Sequence, residues 1–119
     1  MNPTRLVQVL LLHGEFRKIL APIRVTPSQA GVLLVLRRHA HARVTDAAAA
    51  LGVSQATMSR TVTALMRKRW VSKRRSVKDD RVVVVLLSRR GKGLARQIEQ
   101  RVAAPARAYK SLRTGVSSR

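Results

Sequence analysis

Acid is what this 119-residue chain lacks most: only Glu15, Asp46, Asp79, Asp80 and Glu99 face 25 lysines and arginines, for a formal net charge of +20. That balance on one small chain is the footprint of a polyanion binder, because neutralised phosphates release their condensed counterions and drive association. Nucleic acid is therefore the expected partner. A merely Arg-painted surface is the bland rival, and a membrane surface is disfavoured because no Lys/Arg-rich amphipathic segment stands apart from the rest. Cysteine is absent, which excludes disulfides, thiolate-bound zinc and thiol redox sensing, and fits a cytoplasmic protein, one that a nucleic-acid partner would place on the nucleoid. The aromatics are Phe16, Trp70 and Tyr109 alone, too few for a reader that stacks on single-stranded bases. The longest apolar run, Ala30 to Leu36, is seven residues, against the ~20 that a membrane span needs. The opening "MNPTRLVQVLLLHGE" offers no small-residue cleavage site, so no signal peptide is expected. No P-loop, no G-x-S-x-G and no paired carboxylates at a cleft-like spacing appear, and Gly91-Lys92-Gly93 is too short for a nucleotide loop. Neither an enzyme nor a cofactor is expected.

What is present reads as one domain of this size, with a modest core. Leu6, Leu10, Phe16 and Leu20 recur at mostly helical spacing and predict a first helix ending near Ala21-Pro22. Thr26 and Gln29 make a T-x-x-Q capping box with Pro27 at the first helical position. The helix they open is apolar on every side from Ala30 to Leu36, which predicts burial all round, and it ends in Arg37, Arg38, His39 and His41. A short third helix is expected after Thr45 as N-cap, stopped by Gly52. The turn Gly52-Val53-Ser54 then leads into a fourth, capped by Ser54. Its Met58, Thr61, Val62 and Leu65 form an inward stripe, leaving Ala56, Arg60, Thr63 and Arg67 on the opposite face. Two short helices joined by a tight glycine turn, the second showing small polar residues and arginine outward, read as helix-turn-helix.

An alternating stretch, Trp70 to Arg75, and the β-branched run Arg81 to Ser88 predict two strands joined by the loop "SVKDDR". Strands placed there make a wing. A last helix capped by Ser88 is marked by Leu94, Ile98, Val102, Tyr109 and Leu112, with a bend at Pro105 and a frayed tail over 114–119. The fold class expected is mainly α with a small β wing, α+β.

In order and spacing, "VTPSQAGVLLVL", "LGVSQATMSRTVTALMRKRWVSKRR" and "DDRVVVVLLSRRG" resemble the MarR (multiple antibiotic resistance regulator) family of winged-helix transcription factors. The resemblance implies a winged helix-turn-helix lobe over 26–88, with dimerisation helices at 1–25 and 89–113. It implies a homodimeric regulator on a pseudo-palindromic stretch of double-stranded DNA, released by a small-molecule effector. Ser54, Gln55, Ala56, Thr57, Ser59 and Arg60 match the positions facing the major groove or its phosphate walls, with Arg60 foremost, and Thr63 and Arg67 extend the set along the exposed face. Gln55 could pair bidentately with an adenine. Arg81 and Asp79 match the arginine and aspartate of the family's D-x-R wing motif: the arginine enters the minor groove, where shape is read, and the aspartate positions it. Lys73, Arg74, Arg75 and Lys78 line phosphates in the same picture.

This chain departs from the family pattern in several places. Arg69 stands where a glycine usually ends the recognition helix, Ser76-Val77 replaces Asp-Pro, and Asp80 replaces what is more often arginine. The sequence ends where members usually begin a further helix that completes the dimer, so pairing with a longer relative is an alternative to self-pairing. A low-specificity, nucleoid-type binder is another, supported by charge away from the two DNA-facing elements. His39 and His41 have H-x-H spacing, but a helix C-terminus is their expected role, with no metal; His13 is expected at the dimer interface rather than in a ligand pocket.

Overall fold

The computed structural model describes residues 2–118, with side chains described for 2–103. The chain divides into two compact units, one of residues 28–97 and the other of 1–27 with 98–119.

In the second of these, α1 spans Pro3–Leu20. Asn2 caps it, its Oδ1 accepting from the backbone N–H of Thr4 at 2.9 Å, and Pro3 sits where a missing N–H is harmless. A 3-10 turn, Ala21–Ile23, closes it. Leu20 and Ile98 are buried here, while Leu6, Val7, Val9, Leu10 and Leu11 lie 49–61% exposed. Arg101 donates to the carbonyl of Ile19 at 3.4 Å, a cation against the carbonyls that end α1.

The 28–97 unit is built on the expected helices plus one strand more. α2, Pro27–Arg38, begins at the predicted proline. It is not buried all round: Ala30, Val32, Leu33 and Leu36 are inside, whereas Gly31, Leu34 and Val35 are half-buried. Seven apolar residues in a row cover every side of a helix, but only one side faces this unit's core.

Next come β1, Ala42–Arg43, and α3, Val44–Leu51. The cap of α3 is Arg43 rather than the expected Thr45, and Asp46 in its first turn accepts from the backbone N–H of Arg43 at 3.1 Å. α4, Gln55–Arg67, starts at Ser54 as expected, whose Oγ accepts from the backbone N–H of Thr57 at 3.1 Å. Met58, Val62 and Leu65 are buried and Thr61 half-buried, so the predicted inward stripe faces the core.

β2, Val71–Arg75, and β3, Val83–Leu87, form the wing. Each begins later than the alternation suggests, leaving Trp70 and Arg81 outside the strands. The sheet has three strands in the order β1-β3-β2, all antiparallel. β1 escaped the sequence reading because two residues carry no alternation.

Glycine and arginine close two successive helices in the same way. After α3, Gly52 (φ 67°) donates to Ala49 and Val53 to Ala48; after α4, Arg69 (φ 62°) donates to Met66 at 3.0 Å and Trp70 to Leu65 at 3.1 Å. Both are Schellman closures. The departure at position 69 thus leaves the left-handed turn in place, at a cost of about 1–2 kcal/mol for a residue with a Cβ.

α5, Arg89–Ser118, is capped by Ser88, whose Oγ accepts from the backbone N–H of Gly91 at 3.0 Å and donates to the carbonyl of Arg69 at 2.7 Å. The Ser88 N–H also donates to the carbonyl of Trp70 at 2.9 Å. A Cβ on Gly91 would overlap that Trp70 carbonyl oxygen, so glycine is required there for close approach, not for a turn. The helix is continuous past the expected end at 113, and the boundary between units falls within it at 97/98. Side chains around Pro105 and in the 114–119 tail lie outside the described residues.

Candidate nucleic-acid interface

Sixteen of the 25 cations and three of the five acids fall between residues 28 and 97. Among the described residues no polar or charged side chain is buried, so this unit's charge lies on its surface.

On α4, Ser54, Gln55, Ala56, Thr57, Ser59, Arg60, Thr63 and Arg67 are all exposed. The helical period that buries Met58 and Val62 turns these outward. Three of them form a chain that sequence reasoning did not anticipate. Ser54 Oγ donates to Thr57 Oγ1 at 3.0 Å, and Arg60 Nη2 donates to the same Thr57 oxygen at 3.4 Å. Thr63 is turned inward on its own helix, its hydroxyl donating to the carbonyl of Ser59 at 2.9 Å. Gln55 and Arg67 extend from the first and last turns.

On the wing, Lys73, Arg74, Arg75, Lys78 and Arg81 are exposed and Asp79 is half-buried. Turn chemistry orders the loop: Ser76 donates to Val82 at 2.8 Å, Val82 donates to Asp79 at 3.0 Å, and the Lys78 N–H donates to Ser76 Oγ at 3.2 Å. Asp79 occupies the first position of the tight turn, where aspartate is favoured. Its Oδ1 accepts from the backbone N–H of Arg81 at 3.0 Å and from Arg81 Nε at 3.2 Å; its Oδ2 accepts from Nη2 at 3.4 Å. Turn closure and a grip on the guanidinium therefore coexist in one residue. The Arg81 backbone N–H foremost, then its guanidinium, hold the Asp79 carboxyl below the usual carboxylate range. Arg81 remains 88% exposed.

The neighbouring acid behaves differently. Asp80 contributes its backbone carbonyl, which accepts from Arg75 Nη1 at 2.7 Å. Arg75 thus braces the loop, and Lys73, Arg74 and Lys78 carry the unbraced charge. Val77 stands 96% exposed beside Lys78.

His39 and His41 are both exposed, His41 with φ 64°. Among the described residues no group of three His, Cys, Asp or Glu could hold a metal ion, and no single helix is long and apolar enough to cross a membrane. His13 is exposed on α1. The cap at Arg43 and the close approach at Gly91 were missed in sequence; a glycine inside a helical pattern was the one signal for the latter.

Residues 25–82 match the MarR family model. Among solved structures, AbsC, a MarR family transcriptional regulator from Streptomyces coelicolor, superposes with a TM-score of 0.83 at 23% identity, covering 89% of this chain and 73% of that one. A mutant MarR from E. coli complexed with operator DNA gives 0.81 at 24% identity, covering 89% and 78%. CouR from Rhodococcus jostii RHA1, bound to p-coumaroyl-CoA, gives 0.76 at 19% identity, covering 91% and 82%. No curated protein sequence matches the chain. Its helix-turn-helix and three-stranded wing, with the family-model match over residues 25–82, give this chain the winged-helix fold of MarR-type regulators.

Proposed function

We propose that this protein is a sequence-reading transcriptional regulator that binds double-stranded DNA as a homodimer. α4 lies in the major groove, and the Arg81 guanidinium enters the adjacent minor groove. The observation that carries this reading is the pairing, in one unit, of a wholly exposed polar face on α4 with a wing whose arginine is held by Asp79. Arg60 and Gln55 read base edges, Ser54, Thr57 and Ser59 meet the groove walls, and Lys73, Arg74 and Lys78 neutralise phosphates. Asp79 acts on DNA only through Arg81.

Two further features support the regulator. The exposed apolar residues Leu6 to Leu11 of α1 call for cover, which a second copy of the chain supplies. CouR was solved with an acyl-CoA thioester bound, and an effector of small-molecule size acting on the dimer, with repression as the default state, is the corresponding reading here. The protein works in the cytoplasm, on the nucleoid, and is not an enzyme.

A second reading, a low-specificity DNA packager, is favoured by one observation: Arg5, Arg17, Arg89, Arg90 and Arg101 are exposed outside both α4 and the wing. Arg60→Ala separates the two. A regulator loses about 1–3 kcal/mol of discrimination between its operator and random duplex. An unchanged ratio of the two affinities in a binding titration would count for the packager.

A further inference from the structure

One carboxylate–guanidinium arrangement occurs twice in the 28–97 unit. On the wing, a single oxygen of Asp79 bridges the backbone N–H and Nε of Arg81 while the other oxygen takes Nη2. At the start of α3, Oδ2 of Asp46 bridges the backbone N–H and Nε of Arg43 at 3.1 and 3.2 Å, while Oδ1 takes Nη2 at 3.2 Å. Both arginines are thus pinned along one edge, with Nη1 turned away from the carboxylate. The Arg43 side chain is 55% exposed.

Helix capping does not account for Arg43. An N-cap side chain must accept from the first free N–H groups of the helix, and a guanidinium accepts nothing. Asp46 gains from Arg43, its carboxyl held low chiefly by the guanidinium, but the helix start gains no acceptor from the arginine side chain. Two of this unit's three acids are therefore committed to orienting an exposed arginine.

The sheet places the second of these beside the wing cations. Arg43 pairs with Val84 of β3, and Val84 pairs on its other side with Arg74 of β2. Directly opposed residues share a face, so Arg43, Val84 and Arg74 form one row, with the two arginines about 10 Å apart across two strand spacings. Val84 is buried between these exposed neighbours, which fits arginine stems lying over it.

We propose that Arg43 is a second pre-positioned guanidinium of the DNA-binding surface, contacting a backbone phosphate, with Asp46 as its positioning residue. This rests on the double-stranded DNA reading above. A phosphate contact carries no base information, so its signature is electrostatic. Arg43→Ala and Arg43→Gln are compared with the unaltered chain by fluorescence anisotropy on a random-sequence duplex and on its best genomic site, from about 50 to about 300 mM salt. Expected is a slope of log affinity against log salt that is shallower by about 0.9 in both variants. Affinity falls by the same factor on both duplexes, and Arg43→Lys restores the slope. A lowered melting temperature with an unchanged salt slope would overturn the proposal and leave Arg43 as a fold contact only. A change in the ratio of the two affinities would overturn it too, since that is base readout. If the unaltered chain binds neither duplex, the underlying reading fails, and this proposal with it.

Discussion

α4 and the wing present arginine in opposite ways. Arg60 projects from a regular helix, where backbone hydrogen bonds already fix its Cα–Cβ direction, and it needs only a 3.4 Å contact with a neighbouring threonine hydroxyl. Arg81 projects from a loop with no such frame, and the three hydrogen bonds it donates to the Asp79 carboxylate supply the order that the backbone does not. The difference explains where a chain so poor in acid places it. The two aspartates that grip arginines, Asp46 and Asp79, hold partners that lie outside helices, Arg43 at a cap and Arg81 in a turn.

The largest expected effect breaks both regions together. Ser88 and Gly91 lock the turn between α4 and β2 to the start of α5. In Gly91→Ala the new methyl would overlap the Trp70 carbonyl, and the main chain cannot yield as a flexible side chain can. A loss of about 3 kcal/mol or more in chemical denaturation is expected, with DNA binding falling alongside it.

Asp79→Ala strikes the wing alone. It removes a negative charge, yet affinity for DNA should fall about 2- to 12-fold, the range set by immobilising one long side chain on binding at about 0.5–1.5 kcal/mol. Tighter binding in a titration at fixed salt would break the contrast between a held and an unheld arginine. The depressed carboxyl also sets a pH window. A carboxylate whose pKa is lowered in the fold contributes above its unfolded pKa and is lost as pH falls through the folded one. Wing order, followed by amide exchange, should therefore be constant from pH 8 to pH 5 and fail only below the ordinary carboxylate range.

Arg69→Gly tests the joint on the α4 side. Relief of the left-handed turn should stabilise the chain by about 1 kcal/mol, read as a raised melting temperature. Asp80→Ala has the smallest expected effect. Among the described residues its carboxylate grips no side chain, so its removal should strengthen DNA binding about 1.5- to 5-fold at low salt, the range of an exposed charge interaction, and the gain should vanish on adding salt.

Legibility in the sequence followed the same division. The outward face of α4 was readable because Ser54, Gly52 and the Met58–Val62–Leu65 spacing each signal helix geometry locally. The D-x-R pair was readable only through the family resemblance, since Asp79 as a turn residue and Asp79 as a grip look alike in one dimension. Arg43 was hidden because nothing about an arginine signals a helix start, and β1 because its partner, β3, lies about 40 residues away. The left-handed turn at Arg69 was hidden for a related reason: glycine announces such a turn, while arginine must be forced into it by the hydrogen bonds of Trp70 to Leu65 and Ser88 to Arg69.

Sequence-specific binding to double-stranded DNA is the claim on which the rest depends. Footprinting of the unaltered protein across genomic fragments at about 150 mM salt tests it most directly. Protection of a few inverted repeats, with half-sites about one helical turn apart, is the result predicted. Even protection of every fragment would contradict it.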